Sequence, residues 1–125
     1  MSDLIYKDEV YAINGAMFEV YKTLGNGFLE PVYQQALAVE FGLRGIPFER
    51  EKQLELFYKG VKLEKRYTLD FVCFGKIVLE LKVISIITKI EVAQLINYLK
   101  VTGMKVGLLA NFGSRNQLEW ERYVV

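Results

Sequence analysis

The sequence contains no histidine at all. That absence removes serine–histidine and cysteine–histidine nucleophile pairs, imidazole metal ligands and the commonest general base at neutral pH. An enzyme built from this chain must therefore work with carboxylates, lysine, tyrosine or a bound metal. Oxygen ligands alone would hold such a metal, which favours hard ions such as Mg²⁺ or Mn²⁺ over zinc or copper.

Cysteine and long apolar runs are almost as scarce. The single cysteine, Cys73, excludes an internal disulfide and a paired-cysteine zinc site, and its neighbours Val72 and Phe74 favour a packed thiol over a nucleophile. No apolar run reaches the roughly 18 residues that a membrane span needs. The polar start MSDLIYKDEV lacks the pattern of a signal peptide. We therefore expect a cytoplasmic protein that has no membrane partner.

What the chain does contain is enough apolar material for one core. Of its 125 residues, 52% are hydrophobic and 14% are aromatic, which predicts a single globular domain over residues 1–125. The formal net charge of +1 gives no overall attraction to nucleic acid. A mild excess of basic residues between Arg44 and Arg66 is interpreted as a solvated sheet face rather than a phosphate track.

The spacing of the apolar residues changes along the chain. A period near 3.6 predicts helices, with glycines 25, 45 and 103 at their ends, and a period near two predicts strands. The third helix opens with the capping box Thr88-Lys89-Ile90-Glu91. The predicted elements are helices at Asp8–Leu24, about Leu29–Leu43 and Thr88–Thr102, and strands at Phe48–Tyr58, Val61–Phe74, Ile77–Ile84, Lys105–Asn111 and Leu118–Val125.

The order of these elements, ααβββαββ, indicates a mixed α/β (α+β) fold. The first three strands follow one another through short turns, which predicts an antiparallel meander. A helix joins the strand at 77–84 to the strand at 105–111, and such a crossover makes the two strands parallel. We therefore expect a mixed central β-sheet flanked by helices.

Three charged residues, Asp70, Glu80 and Lys82, lie in strands that are otherwise apolar. Alternation places Glu80 and Lys82 on the same face of their strand. A two-residue turn at Gly75-Lys76 would put Asp70 on the wrong face, whereas a three-residue loop from 74 to 76, or one bulge, puts Asp70 opposite Glu80. We predict the three-residue loop or the bulge.

Two carboxylates at one cross-strand spacing repel each other, and a divalent cation between them would relieve that repulsion. In this arrangement Asp70 and Glu80 are ligands, and the backbone carbonyl of Leu81 supplies a third oxygen. Lys82 then lies within reach of a bound water or a scissile phosphate. The alternative is an ordinary structural cluster of charges.

Motifs of known nucleases support the first of these interpretations. Asp70, followed after nine residues by Glu80-Leu81-Lys82, resembles the D-x(n)-E-x-K signature of the PD-(D/E)XK nuclease superfamily. The stretch GFLEPVY, residues 27–33, matches the motif of the small GxxExxY family, and residues 105–113 resemble the closing strand of that family. The resemblance covers roughly residues 10–125.

A further stretch, Gln94-x-x-x-Tyr98, is similar to a motif of the RecB-like branch of that superfamily. Its spacing places both side chains on one helical face. The resemblance implies that they contact the substrate backbone or orient the metal ligands, and a polar bond between helix and sheet is the alternative.

The resemblance also implies a restriction-endonuclease-like core and a role for the early helix. In superfamily members the glutamate of that helix contributes to the metal site directly or through water, which implies this role for Glu30. The alternative for Glu30 is a first-turn carboxylate that favours the start of the helix. We interpret Tyr33, three residues later, as a packing residue.

Two functions from different classes are consistent with these observations. The first is a metal-dependent phosphodiesterase that hydrolyses nucleic acid, with DNA favoured over RNA as the expected substrate and Mg²⁺ or Mn²⁺ as cofactor. The second is a catalytically silent nuclease-fold module for binding or assembly. The apolar richness of the chain favours a homodimer in that case.

Overall fold

Residues 4–125, the part of the chain that the computed structural model describes, form three helices and one five-stranded sheet. The elements are α1 Lys7–Leu24, α2 Glu30–Arg44, β1 Phe48–Tyr58, β2 Val61–Cys73, β3 Ile77–Lys82, α3 Lys89–Thr102, β4 Val106–Asn111 and β5 Glu119–Val124. The predicted order ααβββαββ is confirmed. The predicted domain, 1–125, includes three residues that lie outside the described ones.

The strands are arranged in the sheet in the order β1-β2-β3-β4-β5. The pairs β1–β2, β2–β3 and β4–β5 are antiparallel, and β3–β4 is parallel, with Ile77 paired to Val106 and Lys82 paired to Asn111. Helix α3 is the crossover between the two parallel strands. The predicted meander and the predicted mixed sheet are both confirmed.

Both faces of the sheet carry a hydrophobic core. Helices α1 and α2 pack on one face, where Leu79 and Leu81 of β3 are fully buried. Helix α3 packs on the other face, where Leu95 covers Val78 and Leu109. Because side chains alternate along β3, Glu80 and Lys82 share the α3 face with Val78. Burial on two faces explains why β3 and β4 are almost wholly apolar.

The helix ends follow local signals in the sequence. Pro31 is the second residue of α2, where its missing N–H costs no helical bond, and Gly45 ends α2 in the left-handed conformation at φ 68° and ψ 26°. At α3, Thr88 and Glu91 form the predicted capping box. Gly25 ends α1 with a positive φ of 68° but an extended ψ of −168°, so it does not adopt the left-handed helical conformation.

The predicted end of β3 at Ile84 is wrong, because the strand stops at Lys82. The backbone N–H of Ile84 donates to the side-chain oxygen of Asn111 at 3.0 Å, so a side chain replaces the strand partner there. The other strand ends differ by one residue: β2 ends at 73, β4 begins at 106, and β5 runs from 119 to 124.

The single cysteine and the lack of long apolar runs can now be compared with the structure. Cys73 is fully buried, and burial raises the pKa of its thiol to about 12, which confirms a packed thiol. Over residues 4–125, no helix has the length and apolarity that a membrane crossing requires.

Candidate functional site

The turn between β2 and β3 has the predicted length of three residues. Cys73 pairs with Ile77, so residues 74–76 form the loop, and Phe74 and Gly75 both adopt left-handed φ values of 56° and 68°. The following pairs are Val72 with Val78 and Phe71 with Leu79. Continuing this register places Asp70 opposite Glu80, as predicted.

The two strands separate at this point of the sheet. The backbone ladder ends at the pair Phe71–Leu79, and two side chains bridge the strands beyond it. The N–H of Asp70 donates to Glu80 Oε2 at 2.8 Å, and the N–H of Leu81 donates to Asp70 Oδ2 at 2.8 Å. We call Asp70, Glu80 and the Leu81 backbone the acidic fork.

The alternation of side chains along β2 breaks at Asp70. Phe71 and Cys73 pack in the α1–α2 core, whereas Leu69 packs in the α3 core together with Val72. Strict alternation would place Leu69 with Phe71. The break lets the Asp70 side chain approach α2 while its backbone still faces β3.

Glu51 lies opposite this break, on β1. It falls between the pairs Arg50–Phe71 and Lys52–Leu69, and it has a φ of 53°. A positive φ is unusual for a residue other than glycine and marks a local irregularity of the strand. The Glu51 charge raises the pKa of Asp70, although this contribution is smaller than that of burial. No signal in the sequence indicated that Glu51 lies near the site.

Helix α2 brings two side chains to the acidic fork. Gln34 donates from Nε2 to Asp70 Oδ1 at 3.4 Å. Glu30 lies one turn earlier on the same face, and burial followed by the Asp70 charge raises the pKa of its carboxyl, while Lys82 lowers it. The structure therefore brings Glu30 to the predicted site. The i, i+4 spacing of Glu30 and Gln34 could have indicated Gln34, which the sequence analysis missed.

Tyr33 holds the start of α2, and so Glu30, in place. Its ring is fully buried and stacks on Phe112 with centroids 4.9 Å apart. Its hydroxyl donates to the carbonyl of Gly25 at 2.6 Å and accepts from the N–H of Phe28 at 3.3 Å. The prediction that Tyr33 is a packing residue is confirmed, and its contacts hold the α1–α2 turn.

The carboxylates of the fork are poorly compensated by cations. Glu80 is only 4% exposed, and burial, followed by the Asp70 charge, raises its pKa to about 8, although the Asp70 N–H and Lys82 oppose that rise. Burial also raises the pKa of Asp70, against the bonds from Leu81 and Gln34 and the charge of Lys82. The site thus stabilises positive charge that would enter it.

The remaining predicted residues lie on α3, over the same face. Lys82 Nζ donates to Gln94 Oε1 at 2.7 Å, which is the polar bond between helix and sheet that the sequence left as an alternative. Tyr98 is 7% exposed, and burial, followed by the charges of Glu80 and Asp70, raises the pKa of its hydroxyl. Both motif residues therefore adjoin the acidic fork.

The donor chemistry of the fork fits a hard divalent ion. Its side-chain donors are carboxylate oxygens, which Mg²⁺ and Mn²⁺ prefer. Burial is the largest cause of the raised pKa of Glu30, Asp70 and Glu80, and a bound cation would favour their charged forms. Within residues 4–125, however, no three His, Cys, Asp or Glu side chains converge as a ready-made metal cage. A complete ligand set would have to include backbone oxygen or water.

Three comparisons relate this chain to known proteins, and one of them shows its family. A family model described as the PD-(D/E)XK nuclease superfamily matches residues 7–123 of the chain. No curated protein sequence matches at a significant level. One solved structure, described as "Crystal structure of SSO0001", is similar over 92% of this chain and 76% of its own chain, at 13% identity and a TM-score of 0.49.

Proposed function

Because the chain belongs to the PD-(D/E)XK nuclease superfamily, by a match that spans residues 7–123, we propose that it is a metal-dependent phosphodiesterase that hydrolyses nucleic acid. Its mixed five-stranded sheet is the restriction-endonuclease-like core of that superfamily. The finer proposals are a GxxExxY-type member of the RecB-like branch, a single domain over 1–125, Mg²⁺ or Mn²⁺ as cofactor, and DNA rather than RNA as substrate.

One observation carries the proposal. Asp70 and Glu80 occupy opposite positions of the register where β2 and β3 separate, and each carboxylate accepts a hydrogen bond from a backbone N–H of the opposite strand. These hydrogen bonds fix the direction of both carboxylates, and the Asp70 charge raises the pKa of Glu80, so the two groups repel each other. This arrangement supports a cation site and is hard to explain as a stabilising charge cluster, because buried like charges destabilise a fold.

Asp70, Glu80 and the Leu81 carbonyl would hold the ion, and Glu30 would contribute directly or through water. When bound, a divalent ion polarises a phosphoryl oxygen and lowers the pKa of a coordinated water. The Lys82 ammonium is oriented by Gln94 at 2.7 Å and would stabilise negative charge that develops on the phosphate. Gln34 would keep the Asp70 carboxylate in position from the α2 side.

A catalytically silent binding or assembly module is the second candidate, and one observation favours it. No three metal-ligating side chains converge within the described residues 4–125, so the carboxylates would have to move to share an ion. Calorimetric titration separates the candidates: a silent module binds neither Mg²⁺ nor Mn²⁺, whereas the proposed enzyme binds at least one of them.

The proposed activity is tested by cleavage of single-stranded and duplex oligonucleotides in Mg²⁺ and in Mn²⁺. Glu80→Ala is expected to abolish cleavage, and Lys82→Ala to reduce turnover more than metal affinity. The matched control is Glu64→Ala, because Glu64 is an exposed acid of β2. Wild-type inactivity in both ions, or full activity of Glu80→Ala, would contradict the proposal.

A further inference from the structure

A cleft of about 500 Å³ runs between β2 and α3 beside the acidic fork. Residues 65–68 of β2 form one wall, and Gln94, Asn97 and Tyr98 of α3 form the other. Two contacts join these walls: Asn97 Nδ2 donates to the Tyr67 hydroxyl at 2.8 Å, and the Tyr67 and Tyr98 rings lie 5.2 Å apart.

Both walls of the cleft lead towards the acidic fork. On β2, Thr68 at the end of the cleft is two residues before Asp70. On α3, Gln94 lines the cleft and also accepts the bond from Lys82 Nζ. A chain lying in the cleft would therefore extend directly towards Asp70 and Lys82.

Two adjacent cations line the cleft where the β1–β2 hairpin is irregular. Between the pairs Glu55–Arg66 and Phe57–Lys62, β1 advances by two residues while β2 advances by four. Lys65 falls within this irregularity, whereas Arg66 keeps a regular pair with Glu55, and both residues line the cleft. The sequence alone favoured a solvated sheet face for this stretch.

Both cations are exposed and available for a ligand. The salt bridges found on the hairpin, within residues 4–125, join Lys62 to Glu55, Lys52 to Glu49 and Arg50 to Glu51. None of them includes Lys65 or Arg66. Glu55, which lies opposite Arg66, is already bridged by Lys62.

We propose that this cleft binds a single strand of nucleic acid next to the phosphate that is cleaved, with Lys65 and Arg66 contacting the backbone phosphates. The inference rests on the proposed function and adds its substrate form. The exposed Asn97 lines the α3 wall, and its amide oxygen can contact a sugar or a base edge. Single-strand sites commonly combine a basic groove with aromatic side chains; the half-buried Tyr67 is the aromatic side chain that the cleft offers, since Tyr98 is buried.

The size and charge of the cleft favour one strand over a duplex. Its volume of about 500 Å³ falls among ligand pockets of roughly 300–1,000 Å³. A duplex presents its phosphates across grooves that are about 6 to 12 Å wide, and binding it requires cations spread over a broad face. Two adjacent cations and a net charge of +1 fit one backbone better.

The test is fluorescence anisotropy with a labelled single-stranded oligothymidylate and with a duplex of equal length, both in EDTA so that metal-dependent cleavage is suppressed. The variant is Lys65→Ala/Arg66→Ala, and Lys22→Ala/Lys100→Ala is the control, since it removes the same charge from exposed positions of α1 and α3. All four side chains are exposed, so both variants should retain the thermal stability of the wild type.

The cleft variant is expected to bind the single strand roughly tenfold more weakly and to reduce the slope of log K against log salt by about 1.4, because each lost phosphate contact contributes about 0.7. The control should change neither quantity. Equal losses in the two variants, tighter binding of the duplex, or no binding of the single strand by the wild type would overturn the inference. If the wild type cleaves nucleic acid but the cleft variant binds the single strand as well as the control does, the cleft proposal is wrong and the proposed activity stands. If the cleft variant binds more weakly but the wild type cleaves nothing, the proposed activity is wrong.

Discussion

Replacing Glu80 by glutamine removes a negative charge from a side chain that is only 4% exposed. We expect the substitution to stabilise the metal-free protein at alkaline pH. Glutamine is nearly isosteric with glutamate, and its side-chain oxygen can still accept the N–H of Asp70, which Glu80 Oε2 accepts at 2.8 Å. The packing and this hydrogen bond are therefore kept, and mainly the charge changes.

The sign of the effect follows from the pKa of Glu80, which rises from 4.5 to about 8 on folding. Between these values the folded protein binds more protons than the unfolded chain, so the free energy of unfolding falls as pH rises and levels off above about pH 8. Glutamine has no such dependence. The variant should therefore match the wild type near pH 5 and exceed its stability near pH 9.

The size of the effect is bounded by the same pKa. A carboxyl pKa raised from 4.5 to about 8 corresponds to about 5 kcal/mol between the two protonation states. Buried charges draw in water and relax, so we expect on the order of 2 kcal/mol. At about 4 °C per kcal/mol for a chain of this size, the melting temperature should rise by roughly 8 °C.

Thermal denaturation in EDTA at acidic and alkaline pH measures this difference, and Glu64→Gln is the exposed control for which no shift is expected. Adding Mg²⁺ should then stabilise the wild type, by about 2.7 kcal/mol at a hundredfold excess over the dissociation constant, and should leave Glu80→Gln almost unchanged. A variant that melts at or below the wild-type temperature at alkaline pH without metal would refute the reasoning from buried charge.

Substitutions at Gly113, Asn111 and Thr88 test residues that stabilise the structure around the site. Gly113→Ala should lower the free energy of unfolding by roughly 2 kcal/mol or more, because the new Cβ would lie 2.5 Å from the carbonyl oxygen of Ile84. The control is Gly42→Ala, a helical position of α2 with open space around it. In the same chemical denaturation, Gly42→Ala should raise the free energy of unfolding by about 0.5–1 kcal/mol. Asn111→Ala removes the acceptor of the Ile84 and Gly113 N–H groups and should lower the free energy of unfolding by about 2–3 kcal/mol. An unchanged free energy of unfolding in chemical denaturation would contradict this role. Thr88→Ala removes the cap of α3 and should cost about 1 kcal/mol, and unchanged stability in urea would contradict the capping role.

Local patterns were sufficient to predict much of this fold. Thr88 and Glu91 cap α3 through bonds that span three residues, and Gly45 ends α2 through its own backbone conformation. The length of the loop at 74–76 sets the register of β2 against β3, so the placement of Asp70 opposite Glu80 follows from counting residues. Each of these features depends on interactions between near neighbours in the chain, which is why the sequence indicates them.

Other features depend on contacts that no local pattern specifies. Strand β3 ends at Lys82 because Asn111, 27 residues from Ile84, accepts the Ile84 N–H. The break of alternation at Asp70, together with the approach of Gln34 from α2, arises where two packed faces of the sheet meet. Such contacts are set by how whole elements pack, so single residues give little sign of them beforehand.

The sequence by itself determined the helices and strands, their order, the parallel crossover and the identity of the charged residues that share one strand face, because periodicity, turn length and capping act over short separations. Only the tertiary structure decided how strongly burial raises the pKa of Glu80, which helix residues reach the acidic fork, and that Lys65 and Arg66 line one cleft. Desolvation and approach distance are sums over elements far apart in the chain, and they exist only once those elements have packed.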